Sequence, residues 1–214
     1  MIDTVIFDAM GVIFVDGDDT NELLVPYVKK INKNITTQEI VRLYLQASLG
    51  EISAQDFWKS VGVEEKDIIS KRNYYLDNCL SLDTDIIKVF SKLKDLGYKI
   101  GILSNDVGEW SRYLREKYSL DKYIDYCIIS SEVSMRKPDK HIYEYAVEKY
   151  KLNPSRCVFI DDRIKNLYPA KEVGFNIILF DRENCAGADS DLDIVKHSRD
   201  IIDVLGQINE RKTR

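Results

Sequence analysis

At 214 residues, with 44% hydrophobic and 31% charged side chains, the chain can bury a sizeable apolar core without disulfides, which excludes wholesale disorder. Its 31 basic and 36 acidic residues are interspersed and sum to −5, so no basic face suggests nucleic acid and no cationic stripe suggests a membrane surface; a small-molecule partner is expected. Nothing resembles a signal peptide or a membrane span of about 20 apolar residues, and a cytoplasmic location is expected.

The first element is a short apolar run, Thr4 to Phe7, interrupted at Asp8. Four more runs follow: Lys99 to Leu103, Tyr126 to Ile129, Val158 to Ile160 and Asn176 to Phe180. They are rich in Val, Ile and Phe without alternation, as expected of strands covered by helices on both faces. Between them lie helical patterns. Ile86, Val89, Phe90, Leu93 and Leu96 keep the 3.6 spacing up to Gly97, and residues 139 to 150 repeat it with Ile142, Tyr145, Ala146 and Lys149. This alternation predicts the α/β class, a doubly wound parallel sheet.

Residues 15 to 83 break the alternation. Strand signals vanish there, and Thr36-Thr37-Gln38-Glu39 and Ser53-Ala54-Gln55-Asp56 read as helix starts. The expected organisation is therefore a core of residues 1–14 and 84–214, with an inserted helical cap at 15–83. The cap's two connections leave beside the carboxyl end of the first strand. Residues 210 to 214 read as a frayed tail.

The four cysteines, Cys79, Cys127, Cys157 and Cys185, have no metal or redox spacing and read as small hydrophobes. His141 and His197 sit in polar helical contexts and receive no role.

In an open parallel sheet, ligands bind beyond the carboxyl ends of the strands. Those ends are polar here: Asp8, then Ser104-Asn105-Asp106, then Ser130-Ser131, then Asp161-Asp162. Carboxylates converging on one edge, about 4 Å apart, repel by several kcal/mol at an effective dielectric near 20, so a cation is expected among them. Oxygen donors without His or Cys select a hard ion, with Mg²⁺ the usual choice beside a phosphate. Lys137, ahead of Pro138, supplies a fixed positive charge.

These residues resemble the motifs of the haloacid dehalogenase-like hydrolase superfamily, with a small helical cap after the first motif. The motifs are Val5-Ile6-Phe7-Asp8-Ala9-Met10-Gly11-Val12-Ile13, Ile102-Leu103-Ser104-Asn105, Lys137-Pro138-Asp139, and Val158-Phe159-Ile160-Asp161-Asp162 continued by Asn166, Ala170 and Gly174. The resemblance implies a Mg²⁺-dependent phosphohydrolase acting on a small phosphomonoester. Asp8 is then the nucleophile that forms an aspartyl-phosphate, and Ser104, Asn105 and Lys137 hold the phosphoryl oxygens. Asp8, the Met10 carbonyl and Asp162 are the implied metal ligands, with Asp161 alongside through a bound water.

One position departs from the pattern. Family phosphatases commonly carry a second aspartate two residues after the nucleophile for proton transfer, and here Met10 stands there. Three readings follow. The first is a phosphatase whose acid comes from elsewhere, with Asp16 and Asp18 as candidates against a simple polar hinge. The second is a metal-independent 2-haloacid dehalogenase, with Arg42 as a halide or carboxylate clamp against a solvated helix residue. The third is an impaired or non-catalytic phosphate- and metal-binding protein. Tyr44, Leu45, Trp58, Tyr74 and Tyr75 are candidates for the pocket entrance, with core packing the alternative for each.

Overall fold

The structure, a computed structural model, describes residues 1–184 and 192–213. Apolar strands arise where alternate side chains find a core on either face. In β1 (Thr4–Phe7), Val5 and Phe7 pack into one hydrophobic cluster and Ile6 into a second. The same division recurs in β2 (Lys99–Ser104), with Ile102 against Leu103, and in β4 (Cys157–Asp161), with Val158 and Ile160 against Phe159. Burial on both faces explains the continuous hydrophobic runs. With β3 (Tyr126–Ile129), β5 (Asn176–Phe180) and β6 (Asp193–Val195), the strands form one parallel sheet of six in the order β3-β2-β1-β4-β5-β6.

The register aligns the chemistry. Phe7 lies opposite Ile102 on one side and Ile160 on the other, so Asp8 and Asp161 follow matched positions on adjacent central strands. The Asp8 amide donates to the Ile160 carbonyl at 2.9 Å. Because the chain runs outward through β2 and β3 and then returns to β4 on the other side of β1, this edge is the topological switch point.

Five helices separate β1 from β2, the first four of them being α1 (Val25–Ile31), α2 (Thr37–Ser48), α3 (Ala54–Ser60) and α4 (Ile68–Asn78), preceded by a π-helical turn at Thr20–Leu24. Thr36 and Ser53 cap α2 and α3 as their sequences suggest, accepting from the Glu39 and Asp56 amides. Glu39 does not reach back to complete a capping box; its carboxylate binds Arg42 at 2.7 Å. The two connections run side by side, with the Val15 amide on the Ser81 carbonyl and the Asp83 amide on the Ile13 carbonyl.

Helices α5 (Thr84–Asp95), α6 (Gly108–Lys117), α7 (Ser130–Val133), α8 (Lys140–Tyr150), α9 (Ile164–Val173) and α10 (Ile201–Thr213) flank the sheet. Helix α5 buries Ile86, Val89, Phe90 and Leu93, whereas Leu96 falls on its C-cap and is exposed, with Gly97 at φ +83° beyond it. Trp110 of α6 joins the inserted helices to the core through ring contacts with Tyr44, Phe57, Trp58 and Tyr75 at centroid distances of 5.4–6.0 Å.

Two expectations need correction. Strand β6 was not legible, because three residues give no periodic signal. Residues 210–213 are not a frayed tail but the last turn of α10, tied down by the Arg211–Asp193 ion pair and by the Lys212 ammonium on the Ser155 carbonyl. Cys157 is buried and Cys79 and Cys127 are half-buried, while Cys185 lies outside the described residues. No described helix is long and apolar enough to cross a membrane.

Candidate active site

The first strand ends in Asp8, buried to 7% exposure. Its Oδ1 accepts from the Ala9 amide at 2.6 Å and pairs with the Lys137 ammonium at 2.7 Å. No hydrogen bond among the described residues engages Oδ2. The same ammonium reaches Asp161 Oδ2 at 2.7 Å, so one buried lysine bridges the tips of β1 and β4. Burial opposes its charge, yet Asp161 and Asp8 together hold its pKa above the usual lysine value.

Carboxylate oxygens of Asp8, Asp161 and Asp162 all lie within 4.8 Å of one another. Burial raises the Asp8 carboxyl well above the usual carboxylate range; Lys137 opposes the shift, and the charges of Asp161 and Asp162 reinforce it. Asp162 is pushed up to about 7, first by burial and then by the charge of Asp161.

The paired acids differ sharply in their surroundings. Both oxygens of Asp161 are engaged, by Lys137, by the Arg163 amide at 2.8 Å and by the Asn166 carboxamide at 3.0 and 3.1 Å. Oδ1 of Asp162, by contrast, is buried without a hydrogen-bond partner. An unpartnered buried carboxylate oxygen beside two further carboxylates fits a hard divalent cation, which would satisfy it and screen the three charges. The Asp162 carboxylate is closely enclosed. A β-carbon on Gly11, at φ +80°, or on Gly17 would stand 2.4 Å from it, so a methyl group at either place would have to displace the carboxylate.

Asp8 and Lys137 open on a small cavity of about 50 Å³ that Met10, Asp19, Ser104 and Arg163 also line, with Tyr44, Asn105, Arg136 and Asn166 completing its wall; Asp162 lines an adjoining, more open cavity with Gly11 and Asp18. Ser104, Asn105 and Lys137 are therefore brought together as the motifs suggest. The Asn105 side chain does more than line the wall: it accepts from the Lys137 amide at 2.8 Å and donates to the Lys137 carbonyl at 2.9 Å, which fixes the backbone that carries the lysine.

Other candidates fall elsewhere. Asp106 is buried behind the site, its amide on Ser130 and its carboxylate on the Val107 amide. Ser130 and Ser131 bond the Asp106 and Gly108 amides and do not line the cavity. Asp18 is exposed and bound to Asn21, in keeping with a polar hinge, and Asp16 also lies off the cavity wall. Arg42 is an exposed residue of α2 held by Glu39 and Gln46, far from a clamp's role. Trp58 and Tyr75 are packed in the interior, Leu45 and Tyr74 are exposed, and of the five aromatic and apolar candidates Tyr44 alone lines the cavity.

Sequence reasoning missed Asp19, Arg136 and Arg163. Asp19 is one of three acids in Asp16-Gly17-Asp18-Asp19, and nothing in that run tells which one turns inward. Arg163 was within reach, because the residue after a paired acidic strand end necessarily borders the same edge.

Fold and site together define an α/β protein that gathers three carboxylates, a lysine and a serine at the switch point of a parallel sheet. The chain belongs to the haloacid dehalogenase-like hydrolases, whose family pattern matches residues 2–174. It is 28% identical over 141 residues to (S)-2-haloacid dehalogenase 4A of Burkholderia cepacia, covering 60% of each chain, and 30% identical over 96 residues to glyceraldehyde 3-phosphate phosphatase of Pyrococcus abyssi, covering 44% of this chain and 40% of that one. The chain thus spans about three-fifths, or less, of the curated relatives it matches. A HAD family enzyme from Bacteroides thetaiotaomicron shares the fold at TM-score 0.72 and 22% identity, over 89% of this chain and 96% of that one; it has also been solved with magnesium and inorganic phosphate. A L-2-haloacid dehalogenase from Xanthobacter autotrophicus shares it at 0.68 and 16%, over 96% and 99%.

Proposed function

We propose that this hydrolase is a Mg²⁺-dependent phosphohydrolase that cleaves a small phosphomonoester through an aspartyl-phosphate on Asp8. The observation that carries this reading is the buried, unpartnered Oδ1 of Asp162, in a carboxylate grouped within 4.8 Å with those of Asp8 and Asp161. Such an oxygen supports a cation site, which metal-independent displacement does not need. Asp8, Asp162 and the Met10 carbonyl would hold Mg²⁺, with Asp161 alongside. The ion supplies charge neutralisation that lets a phosphoryl dianion approach a carboxylate.

The protein's own groups do the rest. An Asp8 carboxylate oxygen attacks phosphorus as the bond to the ester oxygen breaks. Water then attacks the same phosphorus, releasing inorganic phosphate and restoring the Asp8 carboxylate. Lys137 stabilises the phosphoryl charge and holds Asp8 in place, Asn105 positions that lysine, and Ser104 donates a hydroxyl from the cavity wall. Residues 15–83 act as a cap: they contribute Asp19 and Tyr44 to the wall and leave room for little more than a phosphoryl group. Admitting the rest of the substrate requires these helices to shift.

The dehalogenase reading draws support from Met10 and from the 28% identical relative. Against it stand the Asp162 environment and the outward position of Arg42. A screen of phosphate esters and 2-haloacids, each with Mg²⁺ and with EDTA, separates the readings. The expected result is Mg²⁺-dependent phosphate release that Asp8→Asn abolishes. EDTA-resistant halide release, or Mg²⁺ binding with no turnover on any ester, would contradict the proposal.

A further inference from the structure

A phosphatase reading leaves one chemical step without an agent. The leaving alkoxide needs a proton and the hydrolytic water must lose one, yet the thioether of Met10 can do neither. Among the described cavity-lining residues, Asp19 is a carboxyl outside the Asp8, Asp161 and Asp162 group. It is buried to 8% exposure, and it lies on the connection into the inserted helices. In a space of about 50 Å³, room for a few waters or one phosphoryl group, an occupant bonded to Asp8 lies close to the other lining residues, Asp19 among them.

Nothing structural accounts for an aspartate at this position. Asp19 opens the π-helical turn Thr20–Leu24 without capping it. No described lysine or arginine lies within ion-pair distance of its carboxylate, and its hydrogen bond from the Tyr75 hydroxyl is long, at 3.5 Å. Its path is nonetheless well fixed. Gly17 is wedged against Asp162, the Arg163 guanidinium donates to the Gly17 carbonyl, and Arg182 donates to the Gly11 and Val12 carbonyls of the adjoining loop. A buried, positioned carboxyl without an ion-pair partner, on the wall of a reaction cavity, is what a proton-transfer group requires.

We propose that Asp19 is the general acid and base of the reaction, supplied from the cap connection in place of the residue that Met10 displaces. This rests on the phosphohydrolase reading. In the first step the Asp19 carboxylic acid gives its proton to the ester oxygen as the P–O bond breaks and the Asp8–phosphorus bond forms. In the second, the Asp19 carboxylate takes a proton from the water whose oxygen attacks phosphorus, and the Asp8–phosphorus bond breaks. Atoms and charge balance over the cycle, and both carboxyls return to their starting states.

The electrostatic surroundings agree. Burial is the main cause that lifts Asp19 to about 7; Arg163 opposes it, Asp18 reinforces it, and a backbone bond to Thr20 and the Tyr75 hydroxyl lower it slightly. Asp106 and Tyr44 face it from the core and from α2, with Arg136 beside them. Near neutral pH such a group is present in both forms, as a donor and acceptor must be.

The test compares Mg²⁺-loaded enzyme on 4-nitrophenyl phosphate, whose leaving group needs no proton, with an alkyl phosphate, whose leaving group does. Asp19→Asn is expected to lower kcat/KM, which reports phosphoryl transfer to Asp8, by about 10²- to 10⁴-fold on the alkyl ester and by less than about tenfold on the aryl ester, while kcat falls on both because hydrolysis of the aspartyl-phosphate is common to them. The alkaline limb of the alkyl-ester pH profile should vanish, and Asp19→Glu should recover part of the loss. Equal losses of kcat/KM on both esters, or no loss, would overturn the assignment while leaving the phosphohydrolase reading intact. A wild-type enzyme that cleaves no phosphate ester removes that reading and this proposal with it. Should Asp19→Asn fail to fold, the wild-type leaving-group dependence decides: a shallow one supports a proton donor, and a steep one overturns it.

Discussion

Replacing Asp19 with asparagine should make the protein more stable, and by an amount that depends on pH. Its carboxyl is held at about 7 in the folded chain, chiefly by burial, against about 3.9 in an unfolded one, a difference of about three units, or about 4 kcal/mol at the limit. The folded state binds this proton more tightly than the unfolded state. Below about pH 4 both states are protonated and the carboxyl costs nothing. Between about pH 4 and 7 the unfolded state ionises first and the fold loses stability, and above about 7 the full cost is present. Asparagine has nearly the same shape and cannot ionise. The gain over wild type should therefore be about 1–2 kcal/mol at pH 5 and rise towards about 4 kcal/mol at pH 8, less whatever the new amide loses by lacking partners. Urea denaturation of both proteins in EDTA at these two pH values measures it. A gain, or a loss, of the same size at both would show that Asp19 is not buried in an ionisable state, and the reasoning about its surroundings would fall.

Three further perturbations address the rest of the site. Gly11→Ala places a methyl group 2.4 Å from the Asp162 carboxylate at a φ of +80°, so titration calorimetry should show Mg²⁺ affinity at least about tenfold weaker while far-ultraviolet circular dichroism is unchanged; undiminished affinity would remove Asp162 from the ligand set. Lys137→Met leaves Asp8 and Asp161 without the ammonium between them, and thermal denaturation should register a loss of about 3–5 kcal/mol along with activity, unless added Mg²⁺ restores part of it. Arg42→Ala should change turnover less than about twofold and stability by less than about 0.5 kcal/mol, because its bonds to Glu39 and Gln46 lie at the exposed surface; a large loss of activity would revive the clamp reading.

Much of this arrangement was legible before any coordinates. Val5, Ile6 and Phe7 announce a strand buried on both faces, and in a parallel sheet that fact alone sends Asp8 to the ligand-binding edge. The same logic places Ser104, Asp161 and Asp162 beside it, since strand registers bring matched ends together. The limits lie where side-chain direction is decided by tertiary packing. Asp16, Asp18 and Asp19 are equivalent in sequence, yet one is half-buried off the site, one is exposed and one faces the cavity, because the π-helical turn and the Gly17–Asp162 contact set the path between them. Asn105 resembles a phosphate ligand by position, and only the structure reveals that its amide also grips the Lys137 backbone. The end of α10 looked loose for a related reason: its polar residues find partners in Asp193 and Ser155, which are distant in sequence.

The covalent step on Asp8 is most directly tested by acid-quenching the enzyme during turnover of a phosphate ester with Mg²⁺ and weighing the peptide that contains residues 1–14. The account predicts a fraction of that peptide carrying the mass of one phosphoryl group on Asp8, absent in EDTA and absent when no substrate is added. Turnover that proceeds while Asp8 stays unmodified at every time point, or that carries isotopic oxygen from water into the Asp8 carboxylate, would contradict it.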